Sequence, residues 1–280
     1  MPTVLITGAA RGIGRATALH LASRGWRVYA GVRNETDGAD LQREARTGEL
    51  LPVPLDVTDA DQLAGLDTAL PERLDAVVNN AGIVVDGPIE AVTPDDLRRQ
   101  LDVNVVGQAA VTQAVLPRIR ASRGRIVFVS SLSGRVATPF MGAYSASKFA
   151  LEALADALRI EMRPWGIKVI LVEPSSTDTD LWRNALDTLD GTEARLRPEH
   201  RELYSEQFAG LRKATKMIQK QAVPVGDVVT VIERALTAQR PRARYPVGVA
   251  SKVQLVASAV LPTAIFDAAR ARITGPPRRR

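Results

Sequence analysis

The chain alternates short apolar runs rich in β-branched residues with longer segments in which apolar positions recur every three or four residues. Such runs are typical of strands buried on both faces, and such segments are typical of amphipathic helices that cover a sheet. The predicted strands are Thr3–Thr7, Arg27–Val32, Leu51–Leu55, Ala76–Asn79, Arg125–Ser130, Lys168–Val172 and Ala243–Val247. The predicted helices are Gly14–Ser23, Asp59–Ala69, Pro94–Ile119, Ala146–Met162 and Asp227–Ala238. We therefore predict a single α/β domain over residues 1–280, a Rossmann-type doubly wound parallel sheet of about seven strands with helices on both faces.

Residues 175–221 depart from this alternation because they are rich in charge and contain no strand pattern. We interpret them as a helical excursion of two helices, one of them Leu203–Gln219, that follows the carboxyl end of a strand. Such an excursion is typical of a lid over a substrate pocket, and a purely structural insertion is the alternative.

The composition excludes several classes of protein and site. With 280 residues, 45% of them hydrophobic and 24% charged, the chain is neither disordered nor fibrous. The absence of cysteine excludes disulfides and thiolate catalysis, and with only the isolated His20 and His200 we expect no metal site. The first apolar run starts at Thr3 and no run reaches about 18 uncharged apolar residues, so we expect a cytoplasmic protein with neither signal peptide nor spanning helix.

The positive charge is concentrated at the end of the chain. Residues 241–280 hold eight Lys or Arg and one acidic residue, whereas residues 1–240 hold 29 basic and 30 acidic residues. A neutral body with only 4% aromatic residues argues against nucleic-acid binding. Residues 250–280 are a basic, apolar extension, either a terminal helix pair packed on the body or a neighbouring subunit, or a peripheral helix on anionic lipid. We expect none of the residues beyond 240 to join the cofactor or catalytic set.

A glycine-rich turn follows the first strand directly and precedes the first helix. It reads Thr7-Gly8-Ala9-Ala10-Arg11-Gly12-Ile13-Gly14. Glycines in this position let the chain turn tightly and let a phosphate approach the helix N-terminus, where free N–H groups favour anions. The predicted cofactor-binding residues here are Gly8, Arg11, Gly12, Ile13 and Gly14, and a glycine turn without a ligand is the alternative.

The end of the second strand indicates which dinucleotide is bound. An acidic residue there selects NAD through the ribose 2′-hydroxyl, whereas an arginine accommodates the 2′-phosphate of NADP. The sequence has no acid at this position and has Arg33 instead. NADP(H) is therefore favoured over NAD(H), with Arg11 as a second positive charge near that phosphate, unless Arg33 is simply a solvated charge.

The segment that follows the fifth strand contains three residues whose side chains suggest proton-transfer chemistry. Ser131 follows that strand, and Tyr144 and Lys148 lie four positions apart on a predicted helix, where they share one face. A free tyrosine is a poor base at neutral pH, but a nearby ammonium group favours the phenolate. Tyr144 would then serve as general acid or base for a carbonyl–alcohol pair, with Ser131 hydrogen-bonded to the same substrate oxygen.

Together these motifs resemble the short-chain dehydrogenase/reductase superfamily over about residues 3–180. The matching segments are Thr7–Gly14, Asn79–Gly82, Asn104, Ser131, Tyr144-x3-Lys148 and Glu173-Pro174. The spacing of the glycines resembles the oxidoreductase branch. The C-terminal extension resembles the steroid- or retinol-dehydrogenase-like members.

The resemblance implies a role for each matched position. Tyr144 is implied as the acid/base, Ser131 as the clamp on the substrate oxygen, Lys148 as the group that lowers the Tyr144 pKa and binds the nicotinamide ribose, and Asn104 as the holder of a relay water. The remaining implied cofactor contacts are Asp56 and Val57, Asn80, Ala81 and Gly82, and Pro174 and Thr179. Ser175 stands where the family commonly has glycine, so the path of that loop stays open. The resemblance also implies a homodimer or homotetramer.

We therefore expect an NADP(H)-dependent oxidoreductase that moves hydride between nicotinamide and a carbonyl or a primary or secondary alcohol. Apolar residues in and around residues 175–221 favour a hydrophobic substrate of steroid-, retinoid- or lipid-like character. One alternative is a non-catalytic NADP(H)-binding regulator or scaffold on the same fold, and another is a membrane-surface protein that acts through its C-terminus. The intact set of Asn104, Ser131, Tyr144 and Lys148 argues for the enzyme.

Overall fold

The computed structural model describes residues 1–272. It contains a seven-stranded sheet, and every pairing of neighbouring strands in it is parallel. The strands are β1 (Thr3–Ile6), β2 (Arg27–Val32), β3 (Glu49–Pro54), β4 (Ala76–Asn79), β5 (Arg125–Val129), β6 (Lys168–Pro174) and β7 (Arg244–Val247). Their order across the sheet is β3-β2-β1-β4-β5-β6-β7. This confirms the predicted Rossmann-type fold.

Helices cover both faces of this sheet. They are α1 (Gly12–Ser23), α2 (Glu35–Glu44), α3 (Ala60–Ala69), α4 (Pro94–Leu101), α5 (Gln108–Ser122), α6 (Gly142–Glu161), α7 (Asp180–Arg183), α8 (Ala185–Arg195), α9 (Pro198–Leu203), α10 (Ser205–Lys220), α11 (Val225–Thr237), α12 (Val249–Val260) and α13 (Thr263–Ala271). Short 3-10 turns lie at Ile89–Ala91, Leu132–Gly134 and Arg163–Trp165.

Two apolar cores lie on opposite faces of the sheet because strand side chains alternate in direction. On β1, Val4 and Ile6 join the core formed with α1, α2 and α11, whereas Leu5 joins the core formed with α3, α5 and α6. Strands buried on both faces need the continuous apolar runs seen in the sequence. The helices and the parallel pairing bring all the strands' carboxyl ends, and the loops that follow them, to one edge of the sheet.

The prediction of one continuous helix over Pro94–Ile119 is wrong at Asp102–Gly107. A wide π-helical turn, Asp102–Gly107, separates α4 from α5, and it carries Asn104. Wide turns of this kind often occur at functional sites. The physical reason here is that the Asn104 amide is drawn into bonds with the loop after β4, which are described below.

Other parts of the structure also differ from the prediction, and several strand and helix ends are shifted by a few residues. The first strand ends at Ile6, because Thr7 already turns its side chain to the loop after β4. Helix α2 was not predicted; its first turn is capped by Asn34, whose side chain accepts a hydrogen bond from the Asp37 backbone N–H. The excursion between β6 and α11 contains four helices, α7 to α10, rather than two.

The C-terminal extension forms the helix pair α12 and α13 after β7. Within residues 1–272 no helix combines the length and apolar character needed to cross a bilayer. The last residues of the basic tail, Arg278, Arg279 and Arg280, lie outside the described residues.

Candidate active site

Thr7 ties the glycine loop to the loop that follows β4. Its buried hydroxyl accepts hydrogen bonds from the backbone N–H groups of Asn80 and Ala81, each at 2.9 Å. In return, the Asn80 amide donates to the carbonyl oxygens of Thr7 at 3.0 Å and Gly8 at 3.2 Å. The turn after β1 is therefore held open and rigid before any ligand binds.

The glycines of this turn form a cradle in which side chains have no room. Gly8 and Gly12 have φ of 64° and 56°, a region that favours glycine. A Cβ on Gly14 would lie 2.3 Å from the Gly8 carbonyl oxygen, and one on Gly12 would lie 3.6 Å from Cγ2 of Thr179. The backbone of α1 thus begins at a narrow, glycine-lined cradle that faces the loop after β6. This geometry fits the pyrophosphate of a dinucleotide at a helix N-terminus.

Arg33 and Asp56 lie near each other beyond the ends of β2 and β3. Burial raises the pKa of Asp56, but hydrogen bonds from the Thr58 N–H and hydroxyl and the charge of Arg33 outweigh it and lower that pKa below its ordinary value. Arg33 is exposed, as is Arg11 at the start of α1. Both guanidinium groups are thus free of burial, whereas Val57 is buried beside the π-helical turn.

Three buried amide side chains hold the loop after β4 from one side. Gln108 donates to the Ala81 carbonyl oxygen at 2.8 Å, and Gln100 accepts from the Val85 N–H at 2.6 Å. Asn104 accepts from the Ile83 N–H at 2.8 Å and donates to the Ile83 carbonyl oxygen at 3.0 Å. Asn104 also donates to the Ser147 hydroxyl at 3.1 Å, which links this loop to α6.

Sequence reasoning found Asn104 but missed Gln100, Gln108 and Ser147. The spacing of the three amides, four residues apart along one predicted helix, is the signal that could have found them. These amides explain how the loop at Gly82, which is exposed toward the cradle, keeps its shape.

Ser131 and Tyr144 come together at the carboxyl end of β5. Ser131 accepts from the Ser133 N–H at 3.1 Å and caps the 3-10 turn, and its side chain lies next to that of Tyr144. Burial raises the pKa of Tyr144 above its ordinary value, and the nearby Ser131 hydroxyl acts in the opposite direction. The tyrosine is therefore protonated at neutral pH when no further charge is present.

Lys148 is buried one helical turn after Tyr144 on α6. Its Nζ donates to the Val129 carbonyl oxygen at 2.8 Å and lies 5.8 Å from the centre of the Tyr144 ring. Burial lowers the pKa of Lys148 to about 8, while the charge of Glu152 acts in the opposite direction. Lys148 is not among the groups that shift the pKa of Tyr144 in this arrangement, in which its ammonium group is hydrogen-bonded to the end of β5.

The loop after β6 does not need a glycine at position 175. The Ser175 N–H donates to the Val247 carbonyl oxygen at 3.2 Å, which prolongs the pairing of β6 with β7. Ser175 is not among the described residues with positive φ; the glycine conformation is found instead at Gly248, with φ of 93°. A Cβ on Gly248 would lie 2.7 Å from the Ser175 hydroxyl, so the two residues match each other in size.

Pro174 and Thr179 flank the rest of this loop. Ser176, Thr177 and Asp178 run beside Val223, with two backbone hydrogen bonds of 2.8 Å. The Thr179 hydroxyl donates to the Thr177 carbonyl oxygen at 3.3 Å, and its methyl group faces Gly12. The predicted site residues therefore lie on the loops along the carboxyl edge of the sheet. These loops and the space between them are called the cleft below.

Helices α8 and α10 cover this cleft and are anchored to it. Thr192 of α8 donates to the Asp86 carboxylate at 2.8 Å. The rings of Tyr204 and Phe208 pack edge-on against Phe140, with centroids 5.7 Å and 5.1 Å away. Phe140 lies four residues before Tyr144, and its φ of 64° is unusual for a residue with a side chain. Nothing in the sequence indicates this backbone conformation.

Comparison with known proteins indicates the same family, and the matches cover most of the chain. Residues 2–190 match the family model described as short chain dehydrogenase. Retinol dehydrogenase 5 of Mus musculus is 36% identical over 276 residues, which cover 95% of this chain and 86% of that protein.

Two solved structures share the fold. A short chain dehydrogenase from Burkholderia cenocepacia J2315 in complex with NADP superimposes with a TM-score of 0.75 and 26% identity, covering 98% of each chain. A 3-oxoacyl-[acyl-carrier protein] reductase with bound NAD from Brucella melitensis has a TM-score of 0.69 and 28% identity, covering 88% of this chain and 89% of its own. With the matched family model and the long, similar relative, these likenesses establish that the chain belongs to the short-chain dehydrogenase/reductase family, as a retinol-dehydrogenase-like oxidoreductase that acts on alcohol or carbonyl groups with a nicotinamide cofactor.

Proposed function

We propose that this protein is an NADP(H)-dependent oxidoreductase that interconverts a hydrophobic carbonyl compound, of steroid-, retinoid- or lipid-like character, and its alcohol. The observation that carries the proposal is the adjacent pair of hydroxyl side chains of Ser131 and Tyr144, with the buried Lys148 beside the Tyr144 ring. A pair of hydroxyl groups at one point can bind a single substrate oxygen from two sides.

The cleft offers a place for each part of the cofactor. Gly8, Gly12, Ile13 and Gly14 would hold the pyrophosphate, Asp56 and Val57 would border the adenine, and Asn80, Ala81 and Gly82 would line the middle. Pro174 and Thr179, together with Tyr144 and Lys148, would hold the nicotinamide end. When bound, the nicotinamide supplies or accepts the hydride.

Tyr144 would handle the proton of the reaction. Its raised pKa keeps the phenol protonated, which is the form that donates a proton to a carbonyl oxygen during reduction. Ser131 would orient the same oxygen. Lys148 would hold the ribose and keep positive charge near the phenol, and Asn104, fixed between Ile83 and Ser147, would hold the relay water.

Replacement of Tyr144 by Phe tests this role directly. We expect Tyr144→Phe to lower kcat by about 10²–10⁴-fold, because the proton donor is lost while the ring remains. NADPH binding, followed by the fluorescence of the reduced nicotinamide, should stay close to wild type. Tyr29→Phe, on β2 and away from the cleft, is the matched control and should retain turnover. Undiminished turnover of Tyr144→Phe would contradict the mechanism.

The preference for NADP(H) is proposed from Arg33 and Arg11. Both guanidinium groups are exposed at the adenosine end, and the charge of Arg33 already acts on Asp56. A phosphate on the ribose 2′ position would receive charge-assisted hydrogen bonds from Arg33 that a hydroxyl group there would not need.

We expect Arg33→Ala to raise the Kd for NADPH by about tenfold or more, from the loss of a charge-assisted bond, and to change the Kd for NADH much less. Isothermal titration with both nucleotides measures the two effects. Arg27→Ala, at the opposite end of β2, is the control and should alter neither Kd. If Arg33→Ala weakens both nucleotides equally, the proposed preference is wrong.

The substrate pocket is proposed to lie between the loop before α6 and the lid, residues 175–221. Phe140 keeps a left-handed backbone that costs about 1–3 kcal/mol. Its backbone is tied to the loop after β4, since its carbonyl oxygen accepts from the Gly87 N–H at 2.7 Å. Its ring then reaches Tyr204 and the fully buried Phe208. This strained residue joins the lid to the segment that carries Tyr144, so it would hold an apolar wall over the substrate.

Removing the Phe140 ring should loosen this wall. For Phe140→Ala we expect KM for a hydrophobic ketone to rise by about tenfold, while the Kd for NADPH stays constant, because aromatic pairs of this kind contribute about 1 kcal/mol each. Phe140→Tyr preserves the ring and should restore KM. Equal kinetics of all three proteins on hydrophobic ketones would exclude the lid from substrate binding.

Helix α12 supports a proposal of contact with a membrane surface. Its Val253, Val256 and Val260 are more than half exposed and border an apolar groove next to Lys252. Helix α13 returns to the active-site side, where Arg270 donates to the Thr138 hydroxyl at 2.9 Å. An apolar, basic face in this position would let a lipid-soluble substrate reach the lid from an anionic bilayer. The homodimer or homotetramer expected for the family could use the same face.

Vesicle sedimentation and light scattering together separate these uses of α12. We expect the full chain to sediment with anionic vesicles and much less with zwitterionic ones, because basic residues attract anionic lipid. Serine at Val253, Val256 and Val260 should reduce sedimentation by about tenfold without changing the molar mass, since each valine loses apolar area. Ile160→Ser, on α6, is the control for an exposed apolar residue. Loss of oligomeric mass with no change in sedimentation would mean that the face is a subunit interface.

A further inference from the structure

Two glutamate side chains lie buried behind Lys148, and neither belongs to the cofactor or substrate contacts described above. Glu152 follows Lys148 by one turn of α6, and Glu173 lies near the end of β6. Glu152 is 5% exposed and Glu173 is 1% exposed. Carboxylates so far from water are costly unless cations or a proton compensate them.

Few cations are available to this pair. Arg244 of β7 lies 2.9 Å from Glu152 Oε2 and 3.3 Å from Glu173 Oε1, but it also donates to Asp156 at 2.7 Å. Arg135, which follows the 3-10 turn after β5, is 3.4 Å from Glu173 and partly exposed. The charged groups that face the pair from the surrounding elements are thus Lys148 and Asp156 of α6, Arg244 and Arg135. One largely buried guanidinium is shared by three carboxyl groups.

The hydrogen bonds of Glu152 indicate what compensates the negative charge that these cations leave over. Glu152 Oε1 has neither an N–H nor a hydroxyl donor among the described residues, and it is buried beside the Glu173 carboxyl. Two ionised carboxylates cannot donate to each other, whereas a protonated one can. We propose that Glu152 and Glu173 share one proton and form a carboxyl pair that sets the charge behind Lys148.

The electrostatics of the neighbouring groups agree with this proposal. Burial and, after it, the Glu152 charge raise the pKa of Glu173 to about 7 against the opposing effect of the two arginines. The bond from Arg244 lowers the pKa of Asp156, so the shared proton belongs to the pair and not to Asp156. Below about pH 7 the pair carries one negative charge and above it two.

This change in charge acts on Lys148. Burial lowers the pKa of Lys148 to about 8, and the charge of Glu152 opposes that effect. A second negative charge, gained as the pair loses its proton, would hold the Lys148 proton more firmly in the alkaline range. Glu152 and Glu173 would then be positioning residues for the Lys148 charge. This step rests on the proposed role of Lys148 in catalysis, whereas the shared proton does not.

The shared proton can be measured without any substrate. In the full-length protein with NADPH bound, infrared difference spectra between about pH 6 and about pH 9 should show the loss of a protonated buried carboxyl, and Glu173→Gln should lack this signal. Because the Glu173 pKa is raised on folding from 4.5 to about 7, its contribution to stability is fully present below about pH 4.5 and is lost as the pH rises from there through about 7. Glu173→Gln, whose amide can donate to Glu152 in place of the proton, should therefore show a smaller fall in Tm across this range.

The effect on Lys148 is measured by the pH profile of kcat/KM. We expect Glu152→Gln to move the alkaline limb down by about one pH unit, because a negative charge near the ammonium group is lost, and Glu152→Asp to restore part of that shift. Glu161→Gln, an exposed change at the end of α6, is the control and should alter neither spectrum nor profile.

Two results would overturn the proposal. A wild-type spectrum without the carboxyl signal, or one that Glu173→Gln leaves unchanged, would exclude the shared proton. An alkaline limb that Glu152→Gln does not move would exclude its action on Lys148. If no carbonyl substrate is turned over, the proposed function fails, but the infrared and Tm measurements still decide whether the pair holds a proton.

Discussion

The burial of the Lys148 ammonium group is the constraint around which the site is arranged. Only 4% of this residue is exposed, so its charge must be compensated by nearby dipoles and carboxylates. The Val129 carbonyl oxygen accepts its hydrogen bond, and Glu152 supplies negative charge one turn further along α6. Glu152 in turn requires Arg244 from the last strand of the sheet. Helix α6, the centre of the sheet and its β7 edge are therefore connected by a continuous series of hydrogen bonds and charge interactions.

The second requirement is that several loops keep their shape at one edge of the sheet. Thr7 joins the loops after β1 and β4, and the amides of Gln100, Asn104 and Gln108 hold the second of these from the helical side. These bonds are all made within the chain, so a dinucleotide would meet loops that are already held in place. Preorganisation of this kind reduces the conformational entropy that is lost when a ligand binds.

The parts of the fold and site that depend on local spacing could be predicted from the sequence. Strands buried on both faces need apolar runs, and a tyrosine and a lysine four residues apart share a helical face whatever surrounds them. The glycine loop could be predicted for a similar reason, because only glycine fits the close backbone contacts of such a turn.

The features that sequence reasoning missed arise from contacts between distant segments. Arg244 and Glu152 are 92 residues apart, so their pairing has no local signature. The π-helical turn at Asn104 depends on bonds to the loop after β4, and the left-handed Phe140 depends on the lid that its ring contacts. Local propensity argues against both, and tertiary contacts decide them.

The most direct test of the central claim is a screen for turnover with a set of carbonyl compounds and their alcohols. The set contains retinal, a steroid ketone, a long-chain ketone and small polar ketones, each assayed with NADPH and NADH through the absorbance of the reduced nicotinamide. We predict that NADPH is oxidised with at least one apolar carbonyl, faster than with NADH and faster than with the polar ketones. Absence of turnover with every compound and both nucleotides, in a protein that binds NADPH, would contradict the account.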